Sequence, residues 1–110
     1  MLDQHLILYA GTNKVPAVLN VVQTDTGRVL VARFGDYTVP TGATAKLYIV
    51  PPSGTVHEIA GTVDGNVLRF ALTAESLSEY GTARGQVEIT GGGDVSSLPF
   101  VIRIEEEATG

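Results

Sequence analysis

One stretch near the middle of the chain, Ala43–Thr55 (ATAKLYIVPPSGT), narrows the available folds more than any other. Ala45, Leu47 and Ile49 alternate with Thr44, Lys46 and Tyr48, the period-two pattern of a half-buried β-strand. Pro51-Pro52-Ser53-Gly54 then stops it, because proline cannot donate to a sheet ladder and glycine accepts the positive φ of tight turns. From Val56 the pattern resumes, so the stretch reads as a β-hairpin.

The rest of the chain repeats this grammar. His5–Ala10 reads as a short edge strand, with Leu6 and Leu8 on one face and Ile7 and Tyr9 on the other. In Val15–Val22, Val15, Ala17, Leu19 and Val21 make an apolar face opposite Val18 and Val22, and Pro16 disfavours a central position. After the turn Thr24-Asp25-Thr26-Gly27, Arg28–Phe34 sets Leu30, Ala32 and Phe34 against Val29, Val31 and Arg33. The strand returning from the central hairpin, Thr55–Val63, is interrupted at Gly61, which signals a bulge or bend. Asp64-Gly65 reads as a two-residue hairpin turn into Asn66–Leu72, with Leu68, Phe70 and Leu72 inward and Arg69 outward.

Thr73 is placed to cap one or two helical turns near residues 74–80, with Leu77 and Tyr80 packing over the end of the fold and Gly81 ending the turn. Thr82–Thr90 is the cleanest alternation, Ala83, Gly85, Val87 and Ile89 against Arg84, Gln86, Glu88 and Thr90. A glycine turn, Gly91-Gly92-Gly93-Asp94, leads to a last strand with Leu98, Phe100, Ile102 and Ile104 inward. Short strands with turns every eight to twelve residues predict an all-β fold: an antiparallel, immunoglobulin-like β-sandwich of seven or eight strands. The term is architectural, since the chain has no Cys pair and no core Trp. One domain spans residues 1–110, with an acidic tail from about Glu105.

Charge excludes some functions. A net charge of −5 with scattered Lys and Arg argues against nucleic acid, whose phosphates demand clustered cations. Without cysteine there is neither a disulfide framework nor a thiolate metal site. MLDQHLILYAG carries an acid where a signal peptide needs a base, and its apolar run is too short to span a membrane. The expectation is a chain without a signal peptide, made and kept in solution.

No catalytic constellation stands out. His5 and His57 are far apart in sequence, and Ser53 lies near His57 but without the G-x-S-x-G elbow of a hydrolase. The triple glycine joins two strands instead of opening a helix, so it is not a phosphate cradle. Asp25, Asp36, Asp64 and Asp94 occupy turns, where Asp serves the backbone; calcium would need several such oxygens to converge. No catalytic, metal or cofactor residue is assigned.

Charged residues are only 17% of the chain, against a usual figure of about 25%. Val18, Val22, Val29, Val31, Tyr48, Val50 and Val101 oppose the predicted core positions, as if outer faces were covered by another subunit. The interface candidates are Val29, Val31, Tyr48 and Val50, with Tyr9 and Tyr37 as aromatic anchors.

The ordered elements VVQTDTGRVLVARF, VPTGATAKLYIVPPSGTVHEIAG, FALTAESLSEYGTARGQVEIT and DVSSLPFVIRI resemble the N-terminal domain of baseplate upper proteins from tailed bacteriophages and prophages of Gram-positive bacteria. The likeness runs from about Val15 to Ile104 and rests on turn signals and apolar alternation. It implies a virion structural protein at the baseplate or tail tip, made in the bacterial cytoplasm, non-enzymatic and homo-oligomeric, with a trimer or hexamer favoured. Its other partners would be phage tail and baseplate proteins. The sequence ends at Gly110, before the shaft and distal domain of the family, so the assembly role is implied and the bearing of receptor-binding tips is not. The alternative reading is a carbohydrate-binding or adhesive sandwich module, disfavoured by the lack of Trp and the presence of only four Tyr.

Overall fold

Period-two alternation builds two sheets that bury one face each against the other. The structure, a computed structural model, describes residues 2–8, 18–23, 28–91, 95–97 and 99–106. In chain order the strands are β1 (Leu2–Leu8), β2 (Val18–Val22), β3 (Arg28–Phe34), β4 (Thr44–Val50) and β5 (His57–Ala60). They continue as β6 (Thr62–Asp64), β7 (Val67–Ala71), β8 (Gly81–Thr90), β9 (Val95–Ser96) and β10 (Phe100–Glu105). A 3-10 turn at Glu75–Leu77 separates β7 from β8. One sheet runs β1-β3-β7-β6 and the other β2-β10-β8-β4-β5, with β9 pairing β8. The orders β3-β7-β6 and β10-β8-β4-β5 are those of B-E-D and G-F-C-C′ in immunoglobulin sandwiches.

On β3, β4, β7, β8 and β10 the inward residues are those the alternation marks, while Leu98 lies outside the described residues. Leu30, Leu47, Ile49, Leu68, Phe70, Val87, Ile89 and Ile102 are fully buried in one core cluster. Each such side chain contributes about 1.5–3 kcal/mol of burial. Gly54 takes φ +88° and its N–H donates to the Pro51 carbonyl at 2.9 Å, closing the turn of the central hairpin.

Four details depart from the sequence reading. The strand returning from the hairpin does more than bend at Gly61: β5 lies in the six-stranded sheet and β6 in the other, so the chain changes sheets there. This split and the short β9 raise the number of strand segments above the expected seven or eight. The sheets are not wholly antiparallel, since β1 runs parallel to β3 and β2 parallel to β10. The β6–β7 loop is Gly65-Asn66 rather than Asp64-Gly65, because Asp64 pairs with Val67. Asn66 is drawn into the loop by its side chain, whose Oδ1 accepts the Val39 N–H at 3.0 Å.

Finally, Tyr80 does not pack over the end of the sandwich but is 57% exposed. The helical segment is a three-residue 3-10 turn, so the helical spacing that would bring Tyr80 beside Leu77 is not sustained. Leu77 is fully buried, and the Thr73 hydroxyl accepts the Ser76 N–H at 3.2 Å, although the residue at the N-cap of the 3-10 turn is Ala74, which makes no side-chain cap bond. Among the described residues no helix is long and apolar enough to cross a membrane.

Candidate functional site

The interface candidates do not form one patch. Val29 and Val31 lie on the outer face of the four-stranded sheet, whereas Tyr48 and Val50 lie on the outer face of the six-stranded sheet, pointing away from it. Tyr37 belongs to neither face: it packs edge-on against Phe34, centroids 5.2 Å apart at 77°, and seals the core margin. Tyr9 lies outside the described residues.

On the six-stranded sheet, cross-strand register sets Val18, Val101, Arg84 and Val50 side by side across β2, β10, β8 and β4. Val18 is 51% exposed and Val50 half-buried. Val50 also borders a shallow groove of about 530 Å³ with Pro51, Pro52, Pro99, Phe100 and Val101. Beside this apolar row the surface is polar. Lys46 Nζ lies 2.8 Å from Glu58 Oε1, and the Tyr48 hydroxyl donates to Glu88 Oε1 at 3.2 Å. The hydrogen bond from Lys46 to Glu58 and their attraction hold the ammonium above its ordinary pKa. Partial burial, then the bond to Glu88, pushes the Tyr48 phenol up.

On the four-stranded sheet, register aligns His5, Val31, Arg69 and Thr62 across β1, β3, β7 and β6, with Ile7 beside Arg33 in the next row. Val31 is 9% exposed yet lies outside the core cluster, so it is covered by its neighbours on the outer face. Around it His5, Ile7, Arg33, Val67 and Arg69 line a groove of about 430 Å³. Its floor is aliphatic and its walls carry two guanidinium groups and an imidazole. Sequence reasoning named Val31 but not the groove, because its two arginines are 36 positions apart by number and meet only through the β3–β7 register.

Residues weighed for chemistry separate into structural pairs. Ser53 Oγ donates to Glu79 Oε2 at 2.6 Å, not to His57, and Glu79 Oε1 also accepts the Ser53 N–H. His57 Nδ1 sits 4.0 Å from Glu75 Oε1. The Ser53–Glu79 pair ties the segment after the 3-10 turn to the β4–β5 loop, and Glu75 of the turn lies beside the start of β5. Among the described residues no group of three or more His, Cys, Asp or Glu could hold a metal ion. Asp25 and Asp94 lie outside the described residues.

No protein-family model matches the chain, and no curated protein matches it.

Proposed function

We propose that this chain is a non-enzymatic structural subunit of a phage or prophage baseplate or tail tip, working through protein–protein interfaces in a homo-oligomer. The observation that carries the reading is the dressing of the outer faces. A solvated sheet face is normally polar, yet here valines line up as Val18–Val101–Arg84–Val50 on one side, and Ile7, Val31 and Val67 line a groove on the other. The sequence resemblance to baseplate upper proteins supports the assignment of the assembly.

Light scattering on the purified protein over a concentration series tests it. The expected result is a stable oligomer, a trimer or hexamer, that weakens when Val29, Val31, Tyr48 or Val50 is replaced by alanine without loss of folding. A monomer at every concentration that also binds host cell-wall polysaccharide would replace this reading with that of a carbohydrate-binding module.

A further inference from the structure

The walls of the groove on the four-stranded sheet differ in charge from the rest of the molecule. The chain is acidic overall, at −5, yet Arg33 and Arg69 are both exposed here and flank Ile7, Val31 and Val67. Register brings two acids to this face, Asp64 opposite Val67 and Asp3 opposite Val29, but neither is among the residues that line the groove, where Arg33 and Arg69 stand.

A surface of opposite character lies on the other sheet. At the end of β10, Glu105 and Glu106 are exposed beside Tyr80, with Arg103 on the same strand. Glu105 pairs with Val22, itself exposed on the edge strand β2. With Glu105 and Glu106 against the single Arg103, this corner carries a net negative charge beside apolar Tyr80 and Val22, where the groove lining is apolar and basic. Period two turns Glu105 outward, since Ile102 and Ile104 are buried. The groove faces outward from the opposite sheet. One copy cannot fold its own Glu105 across the sandwich into its own groove, so the two surfaces can meet only between copies.

We infer that the groove of one copy, lined by Arg33 and Arg69, receives the corner of a second copy formed by Val22, Tyr80, Glu105 and Glu106. The contact is heterologous: two different patches meet, and repetition closes a ring or extends a stack according to the rotation between neighbours. Opposed charges set register and speed encounter, and the aliphatic floor supplies buried apolar area. The inference rests on the homo-oligomeric reading above and adds its geometry.

The test uses the full chain in four forms: wild type, R33E/R69E, E105R/E106R, and the variant carrying all four changes. Circular dichroism and melting check folding, and light scattering with sedimentation gives mass and dissociation constant. Each double variant sets like charges across the contact and should raise the dissociation constant by about a hundredfold or more. An equimolar mixture of the two double variants should restore assembly, because each then supplies what the other lacks, and the fourfold variant should assemble alone. Raising salt from 0.1 to 1 M should weaken the wild-type assembly, since the Debye length falls from about 10 to about 3 Å. If wild type assembles and R33E/R69E assembles equally well, this inference fails while the oligomeric reading stands. Double variants that weaken assembly without rescue in the mixture would also overturn it. A wild type that stays monomeric at every concentration would overturn both.

Discussion

Gly61 is the residue through which the chain passes from one sheet to the other, and Gly61→Ala tests whether that crossing is as tight as it looks. A Cβ there would lie 2.4 Å from Phe70 Cε1, 2.6 Å from Cδ1 and 3.0 Å from the Arg69 carbonyl oxygen. Ordinary van der Waals contact begins near 3.4 Å. The ring would have to retreat by about an ångström, and Phe70 is fully buried among core side chains with no open side. The carbonyl belongs to β7 and is held by the sheet, while the Gly61 N–H donates to Ala45 at 3.0 Å and resists a compensating shift.

Overpacking of this kind costs about 1–3 kcal/mol. Replacing glycine by alanine returns about 0.4–1 kcal/mol by restricting the unfolded chain. The net expectation is a loss of about 1–2 kcal/mol. For a chain of this size that is a fall in melting temperature of roughly 5–15 °C. Urea denaturation should show a lower midpoint with an unchanged slope. In a double-mutant cycle with Phe70→Leu, the smaller side chain should relieve the clash by at least about 0.5 kcal/mol. A Gly61→Ala protein within about 0.5 kcal/mol of wild type, or a cycle with no coupling, would refute the packing argument.

Gly85→Ala should behave alike in the same denaturation assay, because its Cβ would meet the Phe100 ring at 2.5 Å. Ser97→Ala should cost about 1–3 kcal/mol, since the buried Ser97 Oγ accepts the Val87 N–H at 2.9 Å and its loss orphans that donor; amide exchange at Val87 should accelerate. Tyr48, whose phenol is pushed above its ordinary 10.0, should contribute an ionisation above pH 10 in an ultraviolet titration that is lost in Tyr48→Phe. A raised folded-state pKa favours the protonated form, so its stabilisation is complete below pH 10 and is lost as pH rises through the folded value. Melting curves above pH 10 should therefore fall less steeply in Tyr48→Phe than in wild type.

Local pattern was a good guide to which way each strand faces and a poor guide to which strand it joins. Ala83, Gly85, Val87 and Ile89 are buried as their alternation requires, because burial of one sheet face is what period two encodes. The same alternation reads identically in either sheet, so Gly61 marks a bend without showing that the chain changes sheets, and the parallel partners of β1 and β2 leave no local trace. The loop at Gly65-Asn66 is displaced by a bond to Val39, 27 positions away, which no dipeptide rule contains. Tyr80 stays exposed because the 3-10 turn holds only three residues and ends before the spacing that would set it beside Leu77. The aliphatic half of the groove is visible as outward valines, but its basic half exists only once β3 and β7 are in register.

The division of the outer faces also bears on symmetry. If the four-stranded face met its own copy across a two-fold axis passing between Arg33 and Arg69, the guanidinium groups of one chain would face those of the other, and like charges across an interface are repelled. The valine row on the six-stranded face has the same difficulty in milder form, because Arg84 sits in its middle. Neither face is therefore suited to pairing with itself, and the two point in opposite directions from one sandwich. A subunit with two dissimilar outward faces is suited to head-to-tail contact, in which every copy gives one face and receives the other. In the contact inferred above, the angle between the groove and the β10 corner would set how many copies close a ring, so that oligomer number would follow from the sandwich's twist.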